Sequence, residues 1–123
     1  MTPKKMNRQR GAEGEEWARR YLEGKGFVFE RRNFRTRDGE IDLIMREGDT
    51  LVFVEVKLRT TVRFGHGSEA VTPAKQRTIR KVATAYLQRY GYVASAPSVR
   101  FDVISIVCYR DKTYKVTHIP HAF

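Results

Sequence analysis

The stretch that decides the fold is Gly39-Glu-Ile-Asp-Leu-Ile-Met-Arg-Glu-Gly-Asp-Thr-Leu-Val-Phe-Val-Glu-Val-Lys57. It reads as a β-hairpin. Ile41, Leu43 and Met45 alternate with Glu40, Asp42 and Arg46, and Val52, Val54, Val56 and Leu58 alternate along a β-branched, aromatic run. Glu47-Gly48-Asp49-Thr50 supplies the turn. With Gly48-Asp49 as a two-residue, glycine-first loop, Glu47 lies opposite Thr50. That register sets Asp42 opposite Glu55 and Glu40 opposite Lys57. It puts these four on one face and Ile41, Leu43, Val52, Val54 and Val56 on the other, and a one-residue slip would spoil both sets. Carboxylates directly opposed across strands stand roughly 4.5–5.5 Å apart at Cβ and repel. A sheet built only for stability has no use for that pair; a divalent cation between them removes the conflict.

Asp42, twelve intervening residues, then Glu55-Val56-Lys57 resembles the Asp…Glu-x-Lys signature of the restriction-endonuclease-like nuclease superfamily. More closely, the chain resembles the YraN-like family of small bacterial proteins. The resemblance rests on Gly14-Glu15, Gly39-Glu40-Ile41-Asp42-Leu43-Ile44, Phe53-Val54-Glu55-Val56-Lys57-Leu58-Arg59, Phe64-Gly65, and Ala70-Val71 with Lys75. It runs from about Arg10 to Val107, and that family is itself similar to archaeal-type Holliday-junction resolvases. The resemblance implies Mg²⁺ or Mn²⁺ held by Asp42 and Glu55, with the backbone carbonyl of Val56 as a further ligand and Glu15 completing or extending the set. Lys57 would then orient water or stabilise the transition state. The implied reaction is hydrolysis of phosphodiester bonds in DNA, and the resolvase likeness extends it to branched DNA cut by a homodimer.

Composition sets the frame around this centre. The chain of 123 residues suits one domain with its own core, at 41% hydrophobic and 31% charged residues. Domain limits of 11–119 are expected, between a basic flexible arm at 1–10 and a frayed tail at 120–123. No apolar run approaches the length of a membrane helix, and the basic N-terminus lacks a following apolar region, so the cytoplasm is the default location. Cys108, the single cysteine, excludes an internal disulfide and a multi-cysteine zinc site. The formal charge of +10 points to a polyanionic partner, with nucleic acid ahead of a membrane surface.

A first helix is expected from about Gly11 to Lys25, with Trp17, Ala18, Tyr21 and Leu22 as its apolar stripe and Gly24 and Gly26 as stop signals. Glu13 and Glu16 read as surface charge near its N-terminus. Glu15 lies about 90° from the stripe, at about 100° per residue, where it serves equally as surface charge or as a third site carboxylate. A short strand from Phe27 to Phe34 leads into Arg31, Arg32, Arg35 and Arg37, either a phosphate grip or a solvated loop. From Arg59 to Ser68 glycines and hydroxyls make a loop, with His66 an ordinary surface histidine.

Thr72-Pro73 opens a second helix, threonine as N-cap and proline first, with Ile79, Val82, Ala83, Tyr86, Leu87 and Tyr90 inward. Lys75, Arg77, Arg80, Lys81 and Arg89 make it basic with no acid at all, which favours a face for phosphates. Lys75, one turn before Ile79, continues the inward stripe and either snorkels past the core or reaches the site. Strands follow at Val99–Cys108 and Tyr114–Ile119, with Arg100 and Asp102 as a structural ion pair. The sum is an α/β domain with a restriction-endonuclease-like core, a mixed central sheet flanked by helices. A metal-dependent DNA endonuclease fits it best. The alternatives are a nucleic-acid-binding protein on the same fold that does not cleave, and a scaffold whose charged cluster is an ion network.

Overall fold

The computed structural model describes residues 4–60, 71–92 and 98–123. Helix α1 (Lys4–Gly24) is followed by strands β1 (Val28–Thr36), β2 (Gly39–Glu47) and β3 (Thr50–Thr60), helix α2 (Pro73–Arg89), and strands β4 (Ser98–Cys108) and β5 (Tyr114–Ile119). The strands form one sheet in the order β1-β2-β3-β4-β5. Every neighbouring pair is antiparallel except β3 and β4, which run parallel with α2 as the crossover between them. The expected mixed sheet flanked by helices is the observed one.

Alternation along the strands sorts the core into two layers. Leu51, Phe53, Phe101 and Val103 face Ile79, Val82, Ala83 and Tyr86 of α2. Their neighbours Val52, Val54, Ile104 and Ile106 face Ala18 and Leu22 of α1 on the other side. α2 starts as its sequence indicates, the Thr72 hydroxyl accepting from the Lys75 amide at 3.2 Å. α1 ends where Gly26, at φ +95°, turns the chain and the Phe27 amide returns to the Leu22 carbonyl at 3.0 Å.

The hairpin register is the expected one from the turn down to Leu43 opposite Val54, and Gly48 takes φ +58° as a glycine-first turn requires. There the two strands part. β2 goes on pairing with β1 as far as Gly39, while β3 goes on pairing with β4 as far as Thr60. The expectation that Ile41 and Leu43 share a face is therefore corrected: Ile41 and Phe34 join the α2 layer, whereas Leu43 belongs to the α1 layer. Asn33, in β1, lies between Arg32, which pairs with Leu43, and Phe34, which pairs with Ile41, and its φ is +54°. Strict alternation fails at Asn33 and Asp42 together. Glu40 likewise lies across from Arg35 of β1, whose guanidinium its carboxylate binds, instead of from Lys57.

Two terminal expectations change. The helix reaches back to Lys4, through most of the stretch read as a flexible arm. Lys, Arg, Gln and Met are good helix formers, and charge without apolar periodicity does not prevent a helix from extending. The last residues do not fray: the Ala122 amide bonds the Phe101 carbonyl at 2.7 Å, and Phe123 stacks on Phe101 with ring centres 5.1 Å apart. The loop from residue 61, with Phe64, Gly65 and His66, and the linker Ala94–Pro97 lie outside the described residues.

Arg100 and Asp102 form the expected ion pair, a two-pronged one at 2.9 Å on both oxygens. Asp102 is fully buried and also takes His118 Nε2 at 2.7 Å and the His121 amide at 3.2 Å. Burial alone would push this carboxyl up, but bonds from Arg100 and His118 hold it below the usual carboxylate range. Asp102→Ala takes the carboxylate from His118 and leaves Arg100 with Glu47 alone, at 2.6 Å, so a loss of about 3–5 kcal/mol is expected in urea denaturation. A second weak point is Gly39, where a Cβ would come within 2.6 Å of Thr78 Cγ2 on α2. Gly39→Ala should cost about 1–3 kcal/mol in the same assay, and Thr78→Ser, lacking that methyl, should recover part of the loss.

Candidate active site

The parting of β2 from β3 leaves a backbone N–H without its ladder partner, and a side chain takes the place of the missing strand. The Val56 amide donates to Asp42 Oδ2 at 2.9 Å. Asp42 is thereby turned into the gap between the strands. In an extended strand the N–H and C=O of one residue point to the same neighbour, so the Val56 carbonyl faces that gap as well.

Two elements bring further acids here. α1 lies directly on β3 at Gly14, where a methyl would rest 3.5 Å from Leu58. The next residue, Glu15, brings a carboxylate oxygen within 4.8 Å of those of Glu40 and Asp42. The Asn33 amide, with its nitrogen toward Glu15, donates to both carboxylate oxygens at 3.1 Å. From the other side, Glu55 reaches Asp42 side chain to side chain, and two carboxyl groups hydrogen-bond only if one keeps its proton. Burial first, and then the neighbouring Glu55, push the Asp42 carboxyl up to about 8. Burial also raises Glu15, with the Glu40 charge adding to it, against the lowering bond from Asn33.

Cations stand around the acids. Lys75 of α2 reaches Glu55 at 3.5 Å, the inward reading of that residue, and Arg35 holds Glu40. Lys57 lies half-buried two residues beyond Glu55 on the same face of β3. The other basic residues do not converge. Arg77 and Lys81 are exposed on α2, Arg37 is exposed in the β1–β2 turn, and Arg59 sits near the far end of β3. Arg80 is engaged by rings, its guanidinium 4.8 Å from the centre of Phe101 and 5.4 Å from that of Phe123.

The structure thus brings together Asp42, Glu15, Glu55, the Val56 backbone and Lys75. It adds Glu40 and Asn33, which sequence reading assigned elsewhere or passed over. Glu40 carried a signal, standing two residues before Asp42. Asn33 carried none, since a left-handed asparagine in a strand is visible only once the strand is built. The donors fit a hard divalent cation: they are carboxylate oxygens, closely spaced, and mutually repelling unless protonated or bridged.

A profile of the uncharacterised protein family UPF0102 matches residues 14–106, a span containing every one of these carboxylates. A UPF0102 protein of Syntrophomonas wolfei is 46% identical over 118 residues, covering 96% of this chain and 100% of its own. One from Alkaliphilus oremlandii is similar to the same extent, 46% over 118 residues. A third, from Geobacter sulfurreducens, is 45% identical over 117 residues, covering 95% of this chain and 90% of its own.

The raised Asp42 carboxyl has a consequence for stability. Between its ordinary value of 3.8 and about 8 the folded protein holds a proton that the unfolded chain has released. Its contribution is full below that window and is lost as pH rises through it, so metal-free protein weakens from pH 4 toward pH 8. Asp42→Asn keeps an acceptor for the Val56 amide and has no proton to lose. Urea midpoints in a chelator-containing buffer should therefore fall less with pH in Asp42→Asn than in wild type.

Proposed function

The chain belongs to the UPF0102 family, and from its site we infer that it is a divalent-metal-dependent endonuclease that hydrolyses phosphodiester bonds in DNA. The observation that carries the reading is the Asp42 carboxyl. It is fixed by the Val56 amide, placed among Glu15, Glu40 and Glu55, and burdened by burial and by the charge of Glu55 and Glu15. A fold gains nothing from gathering four acids at the seam of its sheet. A site for Mg²⁺ or Mn²⁺ needs that set.

Asp42 and Glu55 would hold the ion, with the Val56 carbonyl beside them and Glu15 and Glu40 closing the set from α1 and β2. The bound cation would polarise the scissile phosphate and lower the pKa of a coordinated water. Lys57 orients the attacking water or offsets charge gathering on the phosphoryl oxygens; as an ammonium it is a donor and not a base. Lys75, 3.5 Å from Glu55, helps hold that side chain in place. The exposed Arg77 and Lys81 on α2, with Arg37 in the β1–β2 turn, supply contacts to phosphates away from the cut. Structure-selective cutting of branched DNA by a homodimer is the extension suggested by the likeness to resolvases.

The reading that competes is a non-catalytic binder in which Lys75 and Arg35 balance the acids as a static network. It gives no role to the crowding around Asp42, which neither cation contacts in an ion pair among the described residues. Calorimetric titration of Mn²⁺ separates the two. Wild type should bind saturably, more tightly at higher pH because Asp42 must release its proton. Asp42→Ala and Glu55→Gln should lose that binding and cut branched or single-stranded DNA more than about 100-fold more slowly, beyond the range of a residue acting behind a ligand. Both variants should still bind DNA without metal, equally or better, since phosphate meets fewer negative charges. Lys57→Ala should bind Mn²⁺ normally yet cut slowly. Wild-type cleavage rates in Asp42→Ala would remove Asp42 from the mechanism, and absence of any specific Mn²⁺ binding would favour the non-catalytic binder.

A further inference from the structure

Beyond Lys57, strand β3 enters a second cleft on the α1 side of the sheet. Leu58, Thr60 and Cys108 form its floor, and Trp17, Tyr109 and Tyr114 its walls, around about 330 Å³. Trp17 meets Tyr114 edge-on, with ring centres 4.5 Å apart at 61°. Tyr109 is 43% exposed and Tyr114 is 53% exposed, two of the four large apolar side chains that the described residues leave in water. Rings are costly to hold at a surface without a partner, and three around one hollow form a site for a flat, apolar-faced group.

Charge says what carries that group. Arg110 and Lys112, both exposed, also line the cleft. The one acid between them, Asp111, is turned back onto Thr113, accepting from its amide at 3.0 Å and its hydroxyl at 2.6 Å. A ligand with aromatic faces and a polyanionic backbone matches both features. Paired bases in a duplex keep their faces stacked on one another, whereas unpaired ones present them. Position fits too. Leu58 follows Lys57 on β3 and Trp17 shares α1 with Glu15, so the cleft and the acidic site are built on the same two elements, with the cleft on the opposite side of β3 from Glu55.

We propose that the Trp17–Tyr109–Tyr114 cleft, bordered by Arg110 and Lys112, is a stacking site for an unpaired base of a single-stranded nucleic acid. Its role, which rests on the nuclease reading, is to seat the non-duplex part of the substrate beside the carboxylates. The preference for branched or single-stranded over plain duplex DNA then comes from this cleft and not from the metal centre.

Trp17 is the only tryptophan in the chain, so its fluorescence reports on this cleft alone. The protein is titrated, with chelator present, with an oligothymidylate of about ten nucleotides, an abasic oligomer of the same length, and a blunt duplex. Oligothymidylate should quench Trp17 saturably, and the abasic oligomer, with the same phosphates, should bind at least about 5-fold more weakly. Tyr114→Ala and Tyr109→Ala change exposed side chains, so folding is checked by thermal melting and expected to hold. Each should weaken oligothymidylate binding by about 5- to 150-fold, equivalent to roughly 1–3 kcal/mol per stacked base, and leave duplex binding unchanged. Equal binding of thymidylate and abasic strands overturns the cleft while sparing the nuclease reading. Failure to bind any of the three oligomers overturns both. A dimer seen by light scattering and lost in Tyr109→Ala/Tyr114→Ala, with no quenching by thymidylate, would assign the cleft to a second copy instead.

Discussion

One hydrogen bond organises the middle of this molecule, that from the Val56 amide to the Asp42 carboxylate. A strand leaving its neighbour ordinarily exposes a row of unpaired backbone groups. Here the departing strand leaves behind a side chain that satisfies the first of them. The arrangement fixes Asp42 in the plane of the sheet, where its carboxylate meets Glu15 from α1 and Glu55 from β3. Elements on both faces therefore converge at one seam. α1 brings Glu15 through the close approach at Gly14, and α2 brings Lys75 through its N-terminal turn.

Much of this was legible beforehand, and the boundary of legibility has a physical cause. Hairpin register, the Thr72-Pro73 start of α2 and the Arg100–Asp102 pair all follow from local rules of alternation, turn chemistry and capping. The nearness of Asp42, Glu55 and Lys75 was open to sequence reading because spacing along strand and helix fixes side-chain direction. Glu40 was misassigned because alternation assumes an unbroken ladder, and the ladder breaks at Asp42. Nothing short of the sheet itself shows that β2 leaves β3 there. His118 went unnoticed for a related reason: its partner Asp102 lies on β4, and only the β4–β5 pairing brings them to 2.7 Å. Pro120-His121-Ala122-Phe123 has no periodicity to suggest order, yet the His121 and Ala122 amides and the stacked Phe123 ring anchor it.

The charge of the chain works at two ranges. At +10, with α2 carrying five basic residues and no acid, it draws in polyanions from a distance. Close to the seam the sign reverses, since the carboxylates there repel any phosphate that arrives without a cation. On the proposed nuclease reading, attraction outside and repulsion at the centre would make productive contact conditional on bound metal. They also make approach sensitive to salt, because the exposed cations act through solvent over about a Debye length of 8–10 Å.

The parallel pairing of β3 with β4 also governs how the molecule assembles. It joins residues as far apart along the chain as Thr50 and Ser98, and the whole of α2 must be threaded between them. Joining the β2–β3 hairpin closes only a tight turn, whereas β4 adds nothing until a long loop has been closed. The order of events runs accordingly: the hairpin with its Asp42–Val56 bond first, the β4 strand and its crossover helix afterwards. During that interval the hairpin's apolar residues have no second strand to cover them. By this argument the Asp42–Val56 contact is expected among the earliest parts of the protein to form, and β3 is where a nascent chain is most open to mispairing with another copy.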